Sequence, residues 1–128
     1  MSAKYQVIKK TKATIKKNEP FTDQFPLPDL KHAPRGSVIL MFQVSGKAGS
    51  VTGPDAWKGT LKITTDKMLA HEVPTVELDD TFTKPRAWVE ALADTDFDVT
   101  GNKVTMTLDN PADGQEIMVS DVVILYHD

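Results

Sequence analysis

The chain has 128 residues, 40% of them hydrophobic and 26% charged, enough for one domain with a true core and too apolar for wholesale disorder. It contains no cysteine, which excludes disulfide stapling, thiolate metal sites and a cysteine nucleophile. The net charge of −3 is unevenly divided: Lys4, Lys9, Lys10, Lys12, Lys16 and Lys17 all precede the first acid, Glu19, leaving nine basic against eighteen acidic residues in the remainder.

Residues 1–17 read as a basic N-terminal arm or as edge strands. YQVIKK and ATIKK interleave lysines with Val7, Ile8, Ala13 and Ile15, and lysine on a sheet edge discourages unwanted strand pairing. The segment holds no arginine and a single aromatic, Tyr5, which argues against stacking on nucleic-acid bases. An acidic protein surface is the better-matched partner. No apolar run in this segment is long enough for a signal-peptide core, so export by a signal peptide is not expected. Nor does any stretch approach the roughly 20 apolar residues of a helical membrane span, and no membrane partner is expected.

Residues 18–36, NEPFTDQFPLPDLKHAPRG, hold four prolines. Proline suits a ladder interior poorly, so an extended loop is expected, pinned to the body by Phe21, Phe25 and Leu27. A loop of this length is often a contact segment.

The body, residues 37–128, alternates short strands with turn signals. Strands are expected at Tyr5–Lys9 and Ala13–Lys17 in the arm, then at Ser37–Val44, Thr60–Thr65, Thr75–Leu78, Arg86–Leu92, Phe97–Val99, Lys103–Leu108 and Ile117–Tyr126. SGKAGS, TGPD, TGN and DNPADG punctuate them with Gly, Pro, Asn and Asp. This spacing argues for an all-β fold, a sandwich or barrel and not a βαβ fold. SVILMFQV and DVVILYH are nearly continuous apolar runs and should be central strands, buried on both faces or covered by a neighbouring chain. Residues 83–92 also fit a helix, with Ala87, Trp88, Ala91 and Leu92 on one face.

Catalysis finds little support. His32, His71 and His127 fall in separate segments without metal-ligand spacing, and neither a nucleophile elbow nor a phosphate-binding loop is present. No enzyme activity and no cofactor are expected. Asp94, Asp96 and Asp98 form the D-x-D-x-D opening of a calcium loop, but Val99 stands where an EF-hand needs glycine. A strand's wet face accounts better for alternate aspartates, leaving these three a weak calcium candidate. Trp57, beside the Gly53-Pro54-Asp55 turn, is a possible sugar platform with Asp55 and Lys58. Trp88, in an alternating run, reads as core.

Residues 86–119, RAWVEALADTDFDVTGNKVTMTLDNPADGQEIMV, follow a cadence of strand, turn, D-F-x-V-x-G, V-T-x-x-L, P-A-x-G and I-x-V. Its positions here are Asp96, Phe97, Val99, Gly101, Val104, Thr105, Leu108, Pro111, Ala112, Gly114, Ile117 and Val119. The run resembles a repeated β-meander of bacteriophage virion proteins, notably tail-fibre, appendage and capsid-decorating β-sandwich domains. That resemblance implies that Arg86–Leu92 is a strand and not a helix, and that the whole is an all-β antiparallel β-sandwich, jelly-roll-like, with an extended N-terminal arm. It implies further a non-enzymatic virion structural protein, assembled in the host cytoplasm. A capsid-decorating (cement) subunit would grip major capsid or other virion proteins through the lysine-rich arm and the 18–36 loop, as a homo-oligomer or symmetric array. A carbohydrate-binding module using Trp57, and a tail or baseplate adaptor, are the alternatives.

Overall fold

A computed structural model describes residues 3–25, 38–49, 57–65, 71–75, 78, 85–93, 97 and 102–127. Nine strands lie among the described residues, in chain order: β1 (Ala3–Lys9), β2 (Ala13–Ile15), β3 (Phe21–Phe25), β4 (Val38–Lys47), β5 (Thr60–Thr64), β6 (His71–Pro74), β7 (Arg86–Leu92), β8 (Asn102–Asp109) and β9 (Glu116–His127). Every pairing is antiparallel. Sheet I has the order β1-β9-β4-β7, with β2 also on β9, and sheet II has the order β3-β8-β5-β6. With β1 and β2 counted as one interrupted edge, this is the two-by-four order of a jelly roll. The fold is therefore an all-β antiparallel sandwich.

The core follows from alternation. Val38, Leu40, Phe42 and Val44 of β4 point inward, as do Leu61 and Ile63 of β5 and Val104, Met106 and Leu108 of β8. Together with β9 they form one cluster between the sheets. β9 reaches it by an irregularity. Ile117 and Val119 are buried, and so are Val122, Ile124 and Tyr126, two sets of positions that strict alternation would place on opposite faces. The register against β4 slips between Met41 and Gln43, so that Asp121 and Val122 together oppose Phe42. Asp121 carries the slip at a φ of 51°, a left-handed conformation that Asp tolerates better than most residues. This bulge lets a long strand present one apolar stripe on each side of it to the same core.

Several sequence expectations change here. The lysine-rich start is not an arm that reaches away: β1 pairs with β9 from Ala3↔His127 to Lys9↔Val122, and β2 from Ala13↔Val119 to Ile15↔Ile117. β9 would otherwise expose an unpaired backbone edge, and this segment satisfies it. The edge breaks at Lys10–Lys12, alongside the β9 bulge. Within 18–36, Phe21–Phe25 is not loop but strand β3, paired with β8 from Phe21↔Met106 to Phe25↔Asn102. Leu27 lies outside the described residues. The strand expected at Thr75–Leu78 sits earlier, at β6. Arg86–Leu92 is a strand, so the helical reading of 83–92 fails. The expected strand Phe97–Val99 is described only at Phe97, which is buried but not in a strand.

The 86–119 run does not form a meander. β7 and β9 belong to sheet I and β8 to sheet II, so the chain changes sheet at each step. The 110–115 turn makes the second crossing, with Asn110 and Gly114 at φ 50° and 78°, and Gln115 N–H donating to Ala112 O at 3.0 Å.

Gly59 is a tight point in the same region. Its φ is +93°, and a Cβ there would lie 2.5 Å from Asp109 O and 2.7 Å from Asn110 O. Gly59→Ala is expected to cost about 1–3 kcal/mol of strain, with the backbone clash in addition. A denaturant titration showing an unchanged midpoint would refute this.

Candidate docking face

The two sheets turn different outer faces to solvent. On sheet II the outward positions of β5 and β8 are Thr60, Lys62, Thr64, Lys103, Thr105, Thr107 and Asp109, all half-buried and polar. Lys62 Nζ lies 3.2 Å from Asp109 Oδ2 and 3.8 Å from Glu72 Oε1. The hydrogen bond and charge of Asp109 push the Lys62 pKa above its usual 10.5, with a smaller contribution from Glu72. This is the wet face that antiparallel sandwiches commonly show.

Sheet I is the opposite case. Registers across its four strands align Tyr5, Leu125, Ile39 and Ala91 in one row. The next row aligns Val7, Val123, Met41 and Val89. All eight side chains are apolar or, for Tyr5, largely so. The exposed large hydrophobics among the described residues are Tyr5 (74%), Val89 (53%), Val7 (39%), Met41 (37%) and Leu125 (36%), and all five stand in these two rows. A half-open depression of about 320 Å³ lies on the face, lined by Tyr5, Met41, Gln43, Ala87, Val123 and Leu125, with Asp121 among its polar neighbours. Scattered apolar side chains are ordinary on a surface, whereas a contiguous patch marks an interaction site.

The structure places the sequence candidates as follows. Tyr5 belongs to the apolar face. Lys9 is half-buried, its Nζ 5.9 Å from the centroid of the Phe21 ring. Phe21 itself is core, 8% exposed. Lys10, Lys12, Lys16 and Lys17 are exposed along the β1–β2 edge and its following turn. Lys16 Nζ reaches Glu116 Oε1 at 3.5 Å. Lys4 and Phe25 lie on β1 and β3, and their side chains are outside the described set. Among the arm and loop candidates whose side chains are described, Tyr5 alone stands on the apolar face, and the face's other members were not singled out. The signal was present in SVILMFQV and DVVILYH, whose second apolar stripe was expected either to be buried or to be covered by a neighbouring chain. Here Ile39, Met41, Val123 and Leu125 form that stripe, covered on one side only by their neighbours.

Trp57 is half-buried just before Lys58, while Asp55 lies outside the described residues, as do Asp94, Asp96 and Asp98. Trp88 packs against the core from β7 and donates from Nε1 to Glu90 Oε1 at 2.7 Å.

No family profile and no curated protein matches the sequence. Among solved structures, the chain is similar in fold to dimeric latent PorU from Porphyromonas gingivalis, with a TM-score of 0.63 and 12% identity. The likeness is one of fold. The match covers 97% of this chain but 12% of that one, so the sandwich corresponds to a small part of a much longer protein.

Proposed function

We propose that this chain is a non-enzymatic assembly subunit that adheres to a larger protein structure through the outer face of sheet I. The observation that carries the reading is the gathering of Tyr5, Val7, Met41, Val89 and Leu125 on one face, while the other sheet keeps a polar exterior. Burying such a patch contributes roughly 25 cal/mol per Å² of apolar surface, and the depression beside Met41 would take an apolar anchor from the partner. Residues 86–119 form no meander, so their likeness to phage virion proteins is one of sequence cadence alone, and on that cadence we take a virus shell as the structure bound, with the chain as a decorating subunit. Jelly rolls serve viral capsids and lectins alike, so the fold by itself does not choose between them. The lysines of the β1–β2 edge would flank the contact and steer it toward acidic surface.

Co-sedimentation with virus shells lacking this chain tests the reading. The wild-type chain is expected to bind and to remain bound at high salt, because apolar contact is not screened. The double variant Met41→Lys/Val89→Lys is expected to bind at least about a hundredfold more weakly, with an unchanged thermal melt. Binding that survives this variant but disappears when Lys10, Lys12, Lys16 and Lys17 are all changed to Ala would overturn the apolar face. Failure of the wild-type chain to bind any shell would overturn the virion setting.

A further inference from the structure

One end of sheet II holds a pocket that the docking face does not use. β3 pairs with β8 from Phe21↔Met106 to Phe25↔Asn102, and the chain before Phe21 leaves the ladder at Pro20, which has no N–H to donate. Residues 16–19 instead close a two-residue turn. Glu19 N–H donates to Lys16 O at 3.1 Å, Lys16 N–H donates to Glu19 O at 3.3 Å, and Asn18 takes a φ of 63°. β8 runs on past Met106 to Asp109, where among the described residues it pairs with β5 alone. Bordered by this turn on one side and by β8 and Lys62 on the other is a half-open pocket of about 380 Å³. That volume falls within the range of small-ligand sites, roughly 300–1,000 Å³.

The charges around the pocket already match one another. Lys62 Nζ lies 3.2 Å from Asp109 Oδ2 and 3.8 Å from Glu72 Oε1, and Lys16 Nζ lies 3.5 Å from Glu116 Oε1. Glu19 also stands on the wall. No positive surplus remains to hold a phosphate or sulfate, and a cation would approach both ammonium groups. What stays open is hydrogen bonding. Each ammonium has three donors, of which the ion pairs occupy at most two on Lys62 and one on Lys16. Among the described residues, the side chains of Asn18, Glu19 and Thr107 have no partner. N–H and O–H donors therefore alternate with carboxylate, amide and hydroxyl acceptors around one opening. The group that answers both kinds at a single atom is a hydroxyl, which donates once and accepts twice. Pro20 and Leu108 add a small apolar surface for the C–H side of a ring. We infer that this pocket binds a neutral sugar, whose hydroxyls bridge Asn18 and Glu19 of the turn to Thr107, Lys62 and Asp109 of the sheet. The pocket shares no residue with the depression beside Met41, and the inference does not depend on the docking reading.

The test is an array of neutral, sialylated and sulfated glycans, followed by nuclear magnetic resonance titration of the isotope-labelled chain with the methyl glycoside of the best terminal sugar. Neutral glycans are expected to bind in preference to the charged ones. The titration should shift the amides of Asn18, Glu19, Thr107, Leu108 and Asp109, with a Kd of about 1 mM for so open a site. Asn18→Gly/Thr107→Val keeps the positive φ of the turn and a β-branched side chain in the strand. It should weaken binding at least about tenfold and leave the thermal melt unchanged. Met41→Lys/Val89→Lys is expected to bind the sugar as wild type does. Four results would each overturn the inference: no glycan bound by the wild-type chain, preference for sialylated or sulfated glycans, unchanged binding by Asn18→Gly/Thr107→Val, or binding lost in Trp57→Ala but kept in that double variant.

Discussion

Deleting Asp121 is expected to abolish folding, although the residue is exposed and its removal takes away no apolar atom. β9 is buried at Ile117 and Val119 before the bulge and at Val122, Ile124 and Tyr126 after it. Only the extra residue, at φ 51°, brings both stretches to the same face. Without it a continuous strand sends one of the two sets to solvent, because a one-residue slip reverses every side chain beyond it. Exposing three large side chains costs about 1.5–3 kcal/mol each, which together rivals the whole stability of a domain, roughly 5–15 kcal/mol. The pairings of β1 and β4 with β9 would be lost in addition. Asp121→Gly keeps the extra residue and suits its positive φ, so it should stay within about 1 kcal/mol of wild type. Urea unfolding followed by circular dichroism distinguishes the two. A deletion variant that unfolds cooperatively at the wild-type midpoint would refute the account.

Phe42→Ala is expected to cost about 3–5 kcal/mol. Phe42 is 2% exposed at the centre of β4, opposite the place where the β9 register slips. Its ring belongs to the core cluster between the sheets, and β4 and β9, each hydrogen-bonded on both sides, cannot collapse into the vacancy. Met41→Ala, one residue earlier on the same strand, is the matched control. Its side chain faces outward and is 37% exposed, and the change should alter stability by about 1 kcal/mol or less. The pair thus contrasts a residue used for folding with a neighbour available for binding. Equal losses for both would mean that the outer face is structurally buried, and the proposed docking surface would fall with it.

Much of the architecture was legible from the chain. β5, β8, β9 and most of β4 stand where period-two alternation and turn residues predict them, β7 stands where the resemblance placed a strand, and the all-β class follows from their number and spacing. β3 was hidden because its five residues lie between Pro20 and Pro26 in a segment whose composition reads as loop. β6 was displaced because His71–Pro74 is short and ends in a proline. Residues 1–17 left two readings open, arm or edge strands, of which the structure takes the second. Their lysines describe a solvated strand edge and a mobile extension equally well, and only the presence of an unpaired side on β9 decides between them.

The docking face shows the same division. That SVILMFQV and DVVILYH lie at the centre of the fold could be read from their apolar content alone, since such runs cannot form exposed edges without inviting aggregation. Which of their stripes reaches the core could not be read, because alternation is a local property and both stripes are apolar. The sequence by itself determined an all-β fold, its strand periodicity and the charge of its first strand. The tertiary structure decided the sheet partition, the phase reset at Asp121 and the alignment of Tyr5, Val7, Met41, Val89 and Leu125 on one face. Those depend on registers between residues far apart in the chain, and no local pattern carries them.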